Sequence, residues 1–139
     1  MSQDPDMESY YHVASSVIRK SIVSDGLIPQ VKNDVHIKRD PSIFLFDNFQ
    51  HANYWAHWTA IELRCAVDIC EVAIPSNEHL DRDEHREMVE FGAWKTPSAI
   101  PPGALRIALT MDVPTSWDPP EFTPISQDYK TRKLMPRPR

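Results

Sequence analysis

Proline placement constrains this chain more than any other feature. Six of its thirteen prolines follow Val113, within PTSWDPPEFTPISQDYKTRKLMPRPR. Each proline fixes φ and removes a backbone donor, so a stretch this dense builds neither a helix nor a central strand. The compact domain is therefore expected over residues 1–113. Residues 114–139 are expected to form an extended segment that reaches the body through Trp117 and Phe122 and ends in a basic tail. With 139 residues, 41% of them hydrophobic, the chain can fill one modest core but not two.

Charge divides along the same boundary. Residues 130–139 carry Lys130, Arg132, Lys133, Arg137 and Arg139 without an acid, a charge of +5, whereas the net charge of the whole chain is −5. The body is thus acidic, a poor general nucleic-acid binder, while the tail is suited to contacting phosphates or a macromolecular acceptor. No run of about 18 apolar residues predicts a membrane span. The acidic start, MSQDPDMESYY, lacks the features of a secretory signal, so an intracellular, cytoplasmic protein is expected. Cys65 and Cys70 read as unbridged core thiols: on one strand, residues five apart face opposite sides.

Within the body, hydrophobic runs alternate between the two periods. Residues 10–13 read as a strand, and Ser15 or Ser16 caps a helix carrying Val17, Ile18 and Ile22 that ends at Gly26. Residues 43–46, Ile-Phe-Leu-Phe, form a continuous apolar strand. Asp47 or Asn48 then caps a helix whose apolar stripe runs through Phe49, Ala52, Ala56, Ala60 and Leu63. Residues 66–74 read as a strand with Val67, Ile69, Glu71 and Ala73 on one face and Asp68, Cys70, Val72 and Ile74 on the other. Residues 105–111 read as the last strand, and the charged stretch 77–90 has room for one short helix. The fold class is α+β, without regular βαβ units. Three glycines are too few for a Gly-rich phosphate loop.

Four pieces, in order, resemble the ADP-ribosyltransferase superfamily. YYHVASSVIRKSIVSDGLIP resembles the opening strand and helix of tRNA 2′-phosphotransferases and bacterial ADP-ribosylating toxins. SIFLFDNFQHANYW is similar to the poly(ADP-ribose) polymerase segment in which a strand ends at Asp and a helix carries Ala-Asn-Tyr. VDICEVAIP and AIPPGALRIAL resemble two later strands. Together the pieces cover roughly residues 10–111. The resemblance implies a small split sheet with two or three helices and NAD bound as a substrate. It implies that His12 holds a ribose hydroxyl and that the Val13 backbone holds the nicotinamide carboxamide. Phe44 stands where many members place a tyrosine against the nicotinamide ribose, His51 near the carboxamide, and Tyr54 as the stacking tyrosine. A compact setting such as a phage or a bacterial conflict system suits a domain of this size.

The resemblance also implies a catalytic glutamate ahead of the final strands, where it would stabilise an oxocarbenium-like transition state. Counting back from Ile100-Pro101-Pro102 reaches Ala93 or Trp94, neither of which can serve. Glu90, with His12, is therefore the catalytic candidate, and Glu71 a further one. Plainer roles compete: His12 as a core histidine bonded to backbone, Phe44 as strand packing, Tyr54 as packing beside Trp55 and Trp58. His79 and His85, with Asp81 and Asp83, lack helical ligand spacing and read as solvated surface rather than a metal site. Three functions stay open: ADP-ribose transfer to a macromolecule, a catalytically inactive module binding a nucleotide or protein, and an RNA 2′-phosphotransferase-like activity using Arg19, Lys20 and Arg39. Oligomeric state is not legible.

Overall fold

The structure is a computed structural model that describes residues 6–29, 42–82 and 93–121. Six strands are present: β1 (Met7–Ser15), β2 (Ile43–Phe46), β3 (Val67–Pro75), β4 (Asp81–Arg82), β5 (Ala93–Thr96) and β6 (Leu105–Met111). The helices are α1 (Arg19–Asp25) and α2 (Phe49–Leu63), and single 3-10 turns occupy Ser16–Ile18 and Pro102–Ala104. The sheet runs β4-β5-β2-β1-β3-β6, and every neighbouring pair is antiparallel. The α+β class holds. The expected split sheet is corrected to one hydrogen-bonded sheet, because β1, paired with β3 along one edge, also pairs with β2 on the other through Tyr11–Phe46.

That sheet nevertheless has a narrow seam. Every residue of β1 from Met7 to Ser15 pairs with β3, but the β1–β2 register among the described residues is the single pair Tyr11–Phe46. Two three-stranded halves, β4-β5-β2 and β1-β3-β6, therefore meet at one point.

Alternation along the strands sends side chains to two cores. Tyr10, Ala14, Leu45, Cys70, Val72 and Trp94 pack beneath α1 and the 97–104 connection, joined by Ile22, Leu27 and Ile100. Phe46, Val67, Ile69 and Ala93 pack beneath α2, which presents Ala52, Ala56 and Ala60, all 0% exposed. Three alanines one turn apart let the helix axis approach the sheet closely. The ends of the predicted stripe differ: Phe49 and Leu63 are exposed, although Phe49 makes an edge contact with Tyr11 at 5.4 Å between ring centroids.

Caps define the helix limits. Asn48 caps α2, its Oδ1 accepting the N–H groups of Gln50 at 2.8 Å and His51 at 3.4 Å. Asp47, the other capping candidate, instead accepts the Trp94 indole N–H at 2.9 Å. Ser15 Oγ accepts from Val17 N–H at 3.2 Å and so starts the first 3-10 turn. Gly26 ends α1 at φ 79°, its N–H donating to the Ile22 carbonyl at 2.8 Å. Two reciprocal 2.9 Å bonds then join Leu27 to Ile100, bringing the 97–104 connection against α1.

Cys65 precedes β3 rather than lying on it, since the strand begins at Val67. It contacts Ser15 Oγ at 3.4 Å, and both cysteines are free thiols. At the start of the charged stretch 77–90, residues Asp81–Arg82 form a short strand on β5, and the rest of the span in which a short helix is expected, 83–90, lies outside the described residues. Residues 112–121 carry no helix or strand, and Trp117 lies against Trp58 of α2 with centroids 6.1 Å apart; Phe122 and the remainder of the Pro-rich segment lie outside the described residues. No helix among the described residues is long and apolar enough to cross a membrane.

Candidate functional site

The seam between β1 and β2 places His12. Its Nδ1–H donates to the Phe44 carbonyl at 2.8 Å, so a side chain joins the two halves one residue beyond their backbone pair. A carbonyl cannot donate, so Nδ1 carries the hydrogen. In the neutral ring this makes Nε2 the acceptor. A half-buried imidazole held in one tautomer at the opening of a sheet is a fixed polar group of the kind a ligand pocket requires.

The other expected site residues are divided between the two faces. Tyr11 and Phe46 pair across the seam, and both belong to the core beneath α2. By alternation Phe44 shares that face, whereas His12 shares the opposite face with Tyr10 and Ala14. Tyr54 also packs on the α2 side and meets Trp58 edge-on at 6.3 Å. Val13, on the α2 side as well, pairs in register with Ile69. His51 is 2% exposed in the first turn of α2. His12 and Phe44 are thus brought together through the Phe44 backbone, while the Phe44 and Tyr54 rings lie across the sheet from the imidazole.

The candidate acids fare differently. Glu90, together with the tail 130–139, lies outside the described residues. Glu71 accepts Arg106 at 3.1 Å in an ion pair on the sheet surface, which engages it away from His12. Ala93 and Trp94, where the family spacing falls, are 1% and 3% exposed core residues of β5.

A second constellation was missed in the sequence. Asp68, near the start of β3 and 0% exposed, carries a dense set of hydrogen bonds. Arg19 clamps it from two nitrogens, Nε to Oδ2 and Nη2 to Oδ1, each at 2.8 Å. Ser16 Oγ donates to Oδ1 at 2.9 Å and Thr110 Oγ1 donates to it at 2.8 Å. Hydrogen bonding from Arg19, helped by Thr110 and Ser16, holds the Asp68 carboxyl below its usual range against the opposing effect of burial. The same hydrogen bonding, donated by Arg19 to the Asp68 carboxylate, raises the pKa of the Arg19 guanidinium.

A β-bulge makes the fourth partner available. The β3–β6 register skips Ala108, pairing Cys70 with Ile107 and Ile69 with Leu109. In an unshifted register Thr110 would stand opposite Val67 and face α2; with the bulge, Thr110 stands opposite Asp68. The legible signal was an acid on the apolar inward face of VDICEVAIP, since a buried carboxylate requires a cation or several donors. Cys70, on the same face, is pushed up to about 11 chiefly by burial, so its thiol stays protonated and unreactive near neutral pH.

Compared with known protein families, curated proteins and solved structures, the chain matches none.

Proposed function

We propose that the chain is an ADP-ribosyltransferase-like, NAD-binding protein whose nucleotide enters at the β1–β2 seam and is held by His12. The observation that carries this reading is the imidazole itself, fixed by the Phe44 carbonyl where the two halves of the sheet meet at one residue pair. In this reading His12 is the group that would hold a ribose hydroxyl of the nucleotide. The Val13 backbone would hold the carboxamide, and Phe44 would contribute its carbonyl, which fixes the imidazole, rather than its ring. Glu90 is the acid such a reaction would use, and the basic tail would recruit a macromolecular acceptor.

A second reading, a nucleotide- or protein-binding module without turnover, is favoured by β5. Its four residues, Ala-Trp-Lys-Thr, carry no carboxylate, and the two at the family spacing are core. Phosphate transfer on RNA loses support for a different reason. Arg19, one of the bases proposed for it, directs Nε and Nη2 at Asp68, an internal partner.

Calorimetric titration of NAD into the wild type and His12→Ala, with nicotinamide release followed in the same samples, decides among these. The expected outcome is saturable binding that His12→Ala weakens at least tenfold. Nicotinamide release abolished by Glu90→Gln identifies the transferase, whereas binding without release identifies the inactive module. Absence of NAD binding to folded wild type would overturn the pocket.

A further inference from the structure

A cavity of about 290 Å³ opens at the far end of the sheet from Ser15, where Met7 pairs with Pro75. Its walls are Ile74, Leu80, Ile100 and Ala104, and it reaches Thr96 on β5. The volume sits at the lower end of small-molecule pockets, roughly 300–1,000 Å³, enough for one or two fused rings or a branched hydrocarbon. Walls of this composition favour an apolar body.

The polar part of the lining has one sign. Among the described residues Glu78 is the sole charged one that lines the cavity, and no lysine or arginine does. Among the described residues no cation pairs with the Glu78 carboxylate. Thr96, 3% exposed, accepts the Ser98 N–H at 3.2 Å, and its own O–H proton has no acceptor among the described residues. An anion or a nucleotide phosphate would meet only a like charge here. A protonated amine on an apolar body would pair with Glu78 while its hydrocarbon fills the space beneath.

The geometry points to a second binding site in this cavity, for a small amine with a compact aromatic or branched body. It is independent of NAD binding: His12 lies five residues along β1 from Met7, about 17 Å at the rise of an extended strand.

The test is calorimetric titration of the full chain with three matched probes: tryptamine, indole and indole-3-acetate. Tryptamine is expected to bind at one saturable site, with indole and indole-3-acetate at least tenfold weaker. Glu78→Gln is expected to reduce tryptamine to the level of indole. Ala104→Phe fills the cavity from within and Ala99→Phe plugs its exposed lip. Each is expected to abolish binding while the thermal melt stays cooperative, and Ala99→Phe supplies the answer if Ala104→Phe does not fold. His12→Ala is expected to leave tryptamine binding unchanged. The site is overturned if tryptamine does not saturate the folded wild type or if binding survives in the folded filled variants. The amine assignment is overturned if all three probes bind alike or Glu78→Gln has no effect.

Discussion

Asp68 shows how much one side chain can organise. It sits near the start of β3, and its partners lie on the turn after β1, on α1 and on the outermost strand β6. Breaking a buried, multiply bonded carboxylate is among the costlier single changes, because its donors lose their acceptor in a dry environment. Asp68→Asn is expected to destabilise the protein by about 2–4 kcal/mol, read from urea unfolding at neutral pH. The sign with pH follows from the lowered carboxyl. The unfolded chain binds the proton more readily, so the stabilisation is complete above the ordinary aspartate range, near pH 4, and is lost as pH falls through the lower folded value. Wild type should therefore lose stability steeply on acidification, and Asp68→Asn should show a flatter dependence in the same range.

At the scale of elements, the caps carry testable energies. Asn48 satisfies two of the orphan N–H groups at the start of α2, and Asn48→Ala is expected to cost about 1 kcal/mol. Gly26 matters for two reasons at once. Its φ of 79° is one that side-chain-bearing residues rarely adopt, and an added Cβ would run into the Ile100 carbonyl oxygen. Gly26→Ala should therefore cost more than the roughly 1 kcal/mol of a simple propensity change, and should loosen the Leu27–Ile100 link to the 97–104 connection. Thermal melts of the two variants beside wild type check both. Local pattern located β2, α2 and β6, because a continuous apolar run, an asparagine before a 3.6-residue stripe and an alternating terminal run are short-range signals. It did not locate β5. Ala-Trp-Lys-Thr is too short to show a period, and it becomes a strand because β2 and β4 pair with it on both sides.

For the whole molecule, the seam sets the order of opening. β1 and β3 share pairing along their full length, whereas β1 and β2 share one residue pair and the His12–Phe44 bond. Hydrogen exchange should find the amides of the β1–β3 ladder best protected and those of β2 exchanging earlier. His12→Ala should widen that difference by removing the donor to the Phe44 carbonyl. Binding of a nucleotide at the seam should narrow it, since a ligand that engages both halves opposes their separation.

The residues alone determined the α+β class, the inward faces of β3, the helix that Asn48 caps and the placement of His12 on the first strand, because each follows from neighbours a few positions away. Only the tertiary structure decided which groups meet. Asp68 finds Arg19 and Thr110 at separations of 49 and 42 residues, and reaches Thr110 only because β6 bulges at Ala108. His12 meets a carbonyl 32 residues away, while alternation turns Phe44 and Tyr54 to the other face. Periodicity encodes which side of an element is buried; the register between distant strands, set by packing over the whole sheet, determines what each buried polar group touches.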